Sequence, residues 1–122
     1  MTFVTADSCR THLESLTQLL VSAFPGSTVY QHTDLCRVPH DILNNKVDAV
    51  FLETEVDESN SLDFVRMLRR QKKSLPVFII SQAEDLREEA AKAGANDYFV
   101  QPVTEQQLRD AKKKKKNKEN AS

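Results

Sequence analysis

The chain has 122 residues, a formal net charge of -1, 39% hydrophobic and 29% charged residues, a balance that suits one globular domain able to bury a core. No apolar run approaches the ~20 residues a membrane-spanning helix needs. No basic-then-apolar segment follows Met1, so a cytoplasmic location is expected. Cys9 and Cys36 make neither a CxxC pair nor a disulfide framework and are read as free thiols.

The charge is unevenly placed. Residues 111–122 carry six lysines against one glutamate, a net of +5, which leaves -6 on the preceding body. The reading is an acidic domain over residues 1–111 and a basic tail over residues 112–122. Five adjacent lysines repel one another and have nothing to bury, so the tail is expected to be disordered. It could hold nucleic-acid phosphates. Without interleaved aromatics or arginines it would not read a sequence, and a solvated tail or linker is the expected role.

Thr2-Phe3-Val4-Thr5-Ala6 reads as a first strand, and Asp7-Ser8 can cap the helix that follows. Cys9, Leu13, Leu16, Leu20 and Ala23 recur at helical spacing until Pro25-Gly26 stops them. Thr28-Val29-Tyr30 is a second strand. Pro39 then suits the first turn of a short helix through Ile42 and Leu43, closed by Asn44-Asn45.

Ala49-Val50-Phe51-Leu52 has no polar alternation, so it reads as a strand covered on both faces. It ends abruptly in a carboxylate, Glu53, with Glu55, Asp57 and Glu58 close behind. The next helix carries Leu62, Val65 and Leu68 on one face. Pro76 precedes a second fully apolar run, Val77 to Ile80, which ends in Ser81. A helix over Glu84 to Ala93 stops at Gly94, and Tyr98-Phe99-Val100 is the fifth strand, followed by Gln101-Pro102. Thr104 and Glu105 can start a fifth helix, but only Leu108 and Ala111 are apolar before the lysines, so that helix is expected to be short.

Five βα units in strict alternation predict a three-layer, doubly wound α/β fold with a parallel five-stranded sheet and right-handed crossovers. Such a sheet delivers its strand ends to one rim, where ligands collect. Asp7, Glu53, Ser81 and Gln101 should therefore approach one another. His12, His32 and His40 fall on a helix, a loop and a second helix and make no metal spacing. A nucleotide- or flavin-binding domain would need a Gly- or Ser/Thr-rich phosphate loop after the first strand, and Thr5-Ala6-Asp7-Ser8 has no glycine.

An apolar strand ending in a carboxylate, a strand ending in Ser81 and the stretch Ala93 to Val103, AGANDYFVQPV, together resemble a response-regulator receiver domain over about residues 2 to 110. The resemblance implies the flavodoxin-like (βα)5 fold with strand order 2-1-3-4-5. In that family an aspartate ending strand three takes a phosphoryl group from a phosphohistidine, and two acidic residues after strand one help hold Mg²⁺. A hydroxyl and a lysine hold the phosphoryl oxygens.

Here Glu53 stands at the phosphoacceptor position. Ala6 and Asp7 stand at the acidic pair, Ser81 keeps the hydroxyl, and Gln101, before Pro102, replaces the lysine. Losing a preorganised cation typically removes ~3 to 4 kcal/mol of transition-state stabilisation. The extra methylene of glutamate also displaces the attacking oxygen from an in-line geometry. Asp57-Glu58 and Ser61 fall where the family places Pro-Gly and a later Gly, so the loop is expected to lose its preset turn geometry.

The expectation is a pseudo-receiver: no enzyme, but a phosphorylation-independent regulatory module of a two-component or phosphorelay system. Its carboxylate pocket would be formed by Asp7, Glu53 and Glu55. Glu53 either imitates a phosphorylated aspartate by reaching toward Ser81 and Gln101 or hydrogen-bonds Gln101 across an inert pocket. Asp7, Glu53 and the Glu55 carbonyl could hold Mg²⁺ weakly, which keeps open a weakly Mg²⁺-dependent phosphoacceptor. The N-terminal part of a DNA-binding regulator is also open, with nucleic acid as a partner only through an output domain outside this chain.

Ser81 and Tyr98 occupy the family's switch positions. The resemblance implies a protein partner, kinase or output domain, or a second copy of the chain, on the face made by helix four, strand five and helix five. That partner is expected to cover Tyr98, Val103 and Leu108.

Overall fold

The computed structural model describes residues 1–71 and 73–111; the expected disordered tail, 112–122, lies outside them. In chain order the elements are β1 (Thr2–Ala6), α1 (Arg10–Ala23), β2 (Thr28–His32), α2 (Val38–Asn44), β3 (Ala49–Glu53), β4 (Glu55–Val56), β5 (Ser59–Asn60), α3 (Ser61–Arg70), β6 (Val77–Ser81), α4 (Arg87–Ala93) and β7 (Asp97–Val100). A last helix, α5, covers residues 105–111 of those described.

Five strands form one sheet in the order β2-β1-β3-β6-β7, and every pairing is parallel. This is the doubly wound (βα)5 architecture the apolar runs predict. Because strand side chains alternate between faces, each central strand feeds two cores. Val50 and Leu52 join Val65 and Leu68 of α3 and Ala90 of α4 on one face. Phe51 joins Leu20 of α1 and Leu108 of α5 on the other. On that second face a row of rings crosses the sheet: Phe24 to Phe3 (5.4 Å between centroids), Phe3 to Phe51 (5.9 Å), Phe51 to Phe78 (5.1 Å) and Phe78 to Phe99 (5.9 Å), spacings favourable for aromatic pairs.

Arg69, near the end of α3, ties three segments together. Its guanidinium donates to the carbonyls of Gly94 (3.0 Å), Lys73 (2.7 Å) and Leu75 (2.8 Å) and to Asn96 Oδ1 (2.9 Å). Gly94 ends α4 at φ 109°, and a Cβ there would stand 2.7 Å from Arg69 Cγ. The predicted helix stop is thus also a point of close approach.

Three local expectations are corrected. Helix four begins at Arg87 rather than Glu84, which instead pairs with the Arg87 side chain ahead of the helix. The residue preceding α1 is Cys9, with no side-chain cap; Asp7 Oδ1 accepts from the Cys9 amide (2.8 Å) instead. The loop after β3 keeps a defined turn: β4 and β5 pair antiparallel, Val56 opposite Ser59, with Asp57 at φ 48° and Glu58 at φ 66°. Two central residues at positive φ make a type I′ hairpin, usually left to Asn and Gly. Here it is anchored by fully buried Val56 and by the Asp57 amide, which donates to Ser8 Oγ (2.6 Å).

Candidate functional site

The sheet register sets the site. β1 pairs β3 with Ala6 opposite Leu52, β3 pairs β6 with Glu53 opposite Ile80, and β6 pairs β7 with Ser81 opposite Val100. Asp7, Glu53, Ser81 and Gln101 therefore end or follow four neighbouring strands at one rim. The Gln101 amide donates to the Ser81 carbonyl (2.8 Å), and the Gln101–Pro102 peptide is cis.

Asp7, Glu53, Gln101 and Pro102 border one cavity of about 410 Å³. Ser81 and Glu55 do not line it. Ser81 is buried, and its Oγ accepts from the Ala83 amide (3.2 Å). Glu55 is exposed on the hairpin and borders a separate cleft with Thr54, Glu58 and Asn60. Grouping Glu55 with the pocket carboxylates is therefore corrected: β3 ends at Glu53, the chain bends at Thr54 and Glu55 opens the β4–β5 hairpin with its side chain exposed, so only its amide serves the site.

That amide matters. It donates to Glu53 Oε2 (3.1 Å), and the Thr54 hydroxyl donates to Oε1 (3.3 Å). The carboxylate is held over its own strand end, and neither Ser81 nor Gln101 is among its hydrogen-bond partners. Neither the reach toward Ser81 nor the Glu53–Gln101 bond that the sequence suggested is formed. Burial pushes the Glu53 pKa above its usual value and Asp7 adds to the rise, while the Glu55 amide, the Thr54 hydroxyl and His12 oppose it.

Asp7 is itself buried, with His12 Nδ1 3.2 Å from its Oδ2. His12 borders the cavity, a role the sequence reading missed when it treated the three histidines only as metal candidates. The usable signal was its place in the first turn of α1, five residues after the carboxylate. Among the described residues no three His, Cys, Asp or Glu side chains are grouped to hold a metal ion. Ala6 takes one carboxylate from the pair after β1, so Asp7 and Glu53 are the carboxylates that border the cavity, and each of their oxygens has one protein partner.

Tyr98 is buried, 3% exposed. Its hydroxyl donates to the Ala83 carbonyl (2.5 Å), and Arg87 lies 5.1 Å over its ring while donating to its carbonyl (3.0 Å). Leu108 is 2% exposed and packs in the phenylalanine core on the opposite face of the sheet from Tyr98. The expectation that a partner covers Tyr98 and Leu108 is therefore corrected. Both are already covered by the domain, because strand alternation turns Tyr98 toward α4 and the fifth helix uses Leu108 to dock.

The family model for the response regulator receiver domain matches residues 4–113. Response regulator MprA of Mycobacterium sp. (strain KMS) is 31% identical over 104 residues, 84% of this chain and 44% of that protein, so the chain spans under half the length of this relative. The receiver domain protein of Clostridium thermocellum superposes with a TM-score of 0.82 at 23% identity, covering 99% of this chain and 98% of that one. The signal receiver domain of a DNA-binding response regulator from Colwellia psychrerythraea 34H gives 0.81 at 17% identity, covering 98% of each.

Proposed function

Because the chain belongs to the response regulator receiver domain family, a signalling module of two-component systems, we propose that it is a receiver whose pocket no longer takes a phosphoryl group and that it acts through protein contacts. The observation that carries this is the state of Glu53. The side chain at the acceptor position is a glutamate whose carboxylate is bound back to Thr54 and Glu55, and among the described residues no lysine or arginine borders the cavity it faces.

Phosphoryl transfer depends on positioning and on cations at the developing charge. Here a glutamate stands at the acceptor position, the lysine is replaced by Gln101, and Ala6 takes the place of one of the two acidic residues that help hold Mg²⁺ in the family. What the residues do is structural. Asp7 orients His12 and the start of α1, Glu53 and Ser61 secure the hairpin through Thr54, Glu55 and the Glu53 carbonyl, and Ser81 holds the turn at Ala83. On this reading the module works in the cytoplasm, where kinases and output domains of such systems meet their receivers.

A second reading is favoured by coverage: the match takes up only 44% of the length of the MprA relative, so the domain would serve as the input half of a larger regulator. The test of the main reading is incubation with acetyl phosphate and Mg²⁺ followed by intact-mass measurement. No phosphoryl adduct is expected; an adduct lost on Glu53→Ala would overturn it.

A further inference from the structure

The cavity of about 410 Å³ at the rim falls within the 300–1,000 Å³ range typical of small-molecule sites. His12, Leu16 and Leu19 of α1 all line it, and their i, i+4, i+7 spacing puts them on one helix face, so the cavity runs from the rim down along α1. Its inner wall is apolar, with Phe51, Ile80 and Val103 facing Leu16 and Leu19. Its carboxylates, Asp7 and Glu53, and the His12 imidazole all belong to the strand-end level.

We propose that this cavity binds a small amphipathic amine, with an aromatic or branched body against Phe51, Leu16 and Leu19 and its ammonium between Asp7 and Glu53. The inference rests on the reading that the pocket takes no phosphoryl group. Charge complementarity selects the occupant. Two carboxylates repel an anion, and a neutral apolar molecule leaves their mutual repulsion in place. A bare divalent ion finds no cluster of three His, Cys, Asp or Glu ligands among the described residues and gains nothing from the apolar wall. An ammonium relieves the repulsion that Asp7 exerts on Glu53, and its apolar body displaces water from the wall.

The experiment is an amide NMR titration of the full chain with three probes sharing one ring system: tryptamine, indole-3-ethanol and indole-3-acetate. Tryptamine is expected to give saturating shifts at Leu16, Leu19, Phe51 and Val103 in the millimolar range, with affinity at least about fivefold above the alcohol, the factor one partly exposed charge contact supplies. The acetate is expected to give none. Glu53→Gln should lower tryptamine affinity by about fivefold and leave the alcohol unchanged. Val103→Phe, at a half-buried position, should abolish binding of every probe while Leu52 and Tyr98 amides keep their shifts.

Equal affinity for the three probes, or no saturating shift with tryptamine, overturns the proposal. Beryllofluoride with Mg²⁺ on the same sample separates the two ideas. Shifts at Ser81 and Tyr98 there defeat the phosphorylation-independent reading itself, whereas silence there together with silence toward tryptamine defeats only the amine site.

Discussion

The Glu55 amide donates to Glu53 Oε2 across 3.1 Å, which folds the acceptor-position carboxylate back onto the end of β3. Held this way, the carboxylate braces the strand end, and burial, with Asp7 beside it, raises its pKa.

The raised Glu53 pKa fixes the sign of a pH effect. The native state binds this proton more tightly than the unfolded chain, so ionised Glu53 opposes folding. That opposition is absent below the unfolded value and fully present above the native one. Glu53→Gln should therefore gain stability relative to the parent as pH rises from 4 to 7, by no more than about 1 kcal/mol because the group is half-exposed and screened. Urea denaturation of both proteins at the two pH values checks this; a gain that shrinks toward pH 7 contradicts it.

Arg69 should be among the most sensitive polar positions. Arg69→Ala leaves the carbonyls of Gly94, Lys73 and Leu75 without their donor, which should cost about 2–3 kcal/mol. Arg69→Lys should recover little, since a single ammonium cannot reproduce the fork. Gly94→Ala should also destabilise, by more than 1 kcal/mol, because it adds both a left-handed alanine and a clash with Arg69. Denaturant midpoints give all three values.

The hairpin offers the reverse effect. Asp57 and Glu58 sit at positive φ without being glycine or asparagine, so Glu58→Gly should stabilise by up to about 1 kcal/mol. A loss of stability would mean that the exposed Glu58 side chain contributes more than its backbone strain.

Tyr98→Phe removes the hydroxyl that donates to Ala83 and should cost about 1 kcal/mol. The change should be felt in the Ser81 to Leu86 turn, where amide hydrogen exchange should rise. Exchange unchanged across that turn would separate Tyr98 from Ser81 and remove the basis for any coupled movement.

The fold was legible because Val50 to Leu52 and Val77 to Ile80 have no polar alternation, so only a sheet covered on both faces accommodates them, and because Gly94 and Pro76 punctuate the helices between. The rim was legible for the same reason: parallel strands bring Asp7, Glu53 and Gln101 to one edge whatever their identities. What escaped was side-chain direction. Nothing in the order of residues says that Glu53 turns toward the Glu55 amide, that Glu55 points to solvent, or that His12 meets Asp7, since these depend on rotamers and on a helix start set by tertiary packing. The hairpin escaped because Asp57-Glu58 lacks the usual turn residues; buried Val56 and the Ser8 hydroxyl impose it from outside the turn. Tyr98, Val103 and Leu108 were expected under a partner because the resemblance implies a face made by helix four, strand five and helix five, yet α4 and the docking of α5 cover Tyr98 and Leu108 within the domain, and Val103 stays half-buried.

The most direct test of the central claim is an amide NMR titration of the whole chain with Mg²⁺ and then beryllofluoride, the mimic of a phosphoryl group on a carboxylate. A pocket braced as described predicts no saturating response at Asp7, Glu53 or Ser81. Saturating shifts at those three that spread to Tyr98 would contradict the account and restore the domain to the phosphorylated receivers.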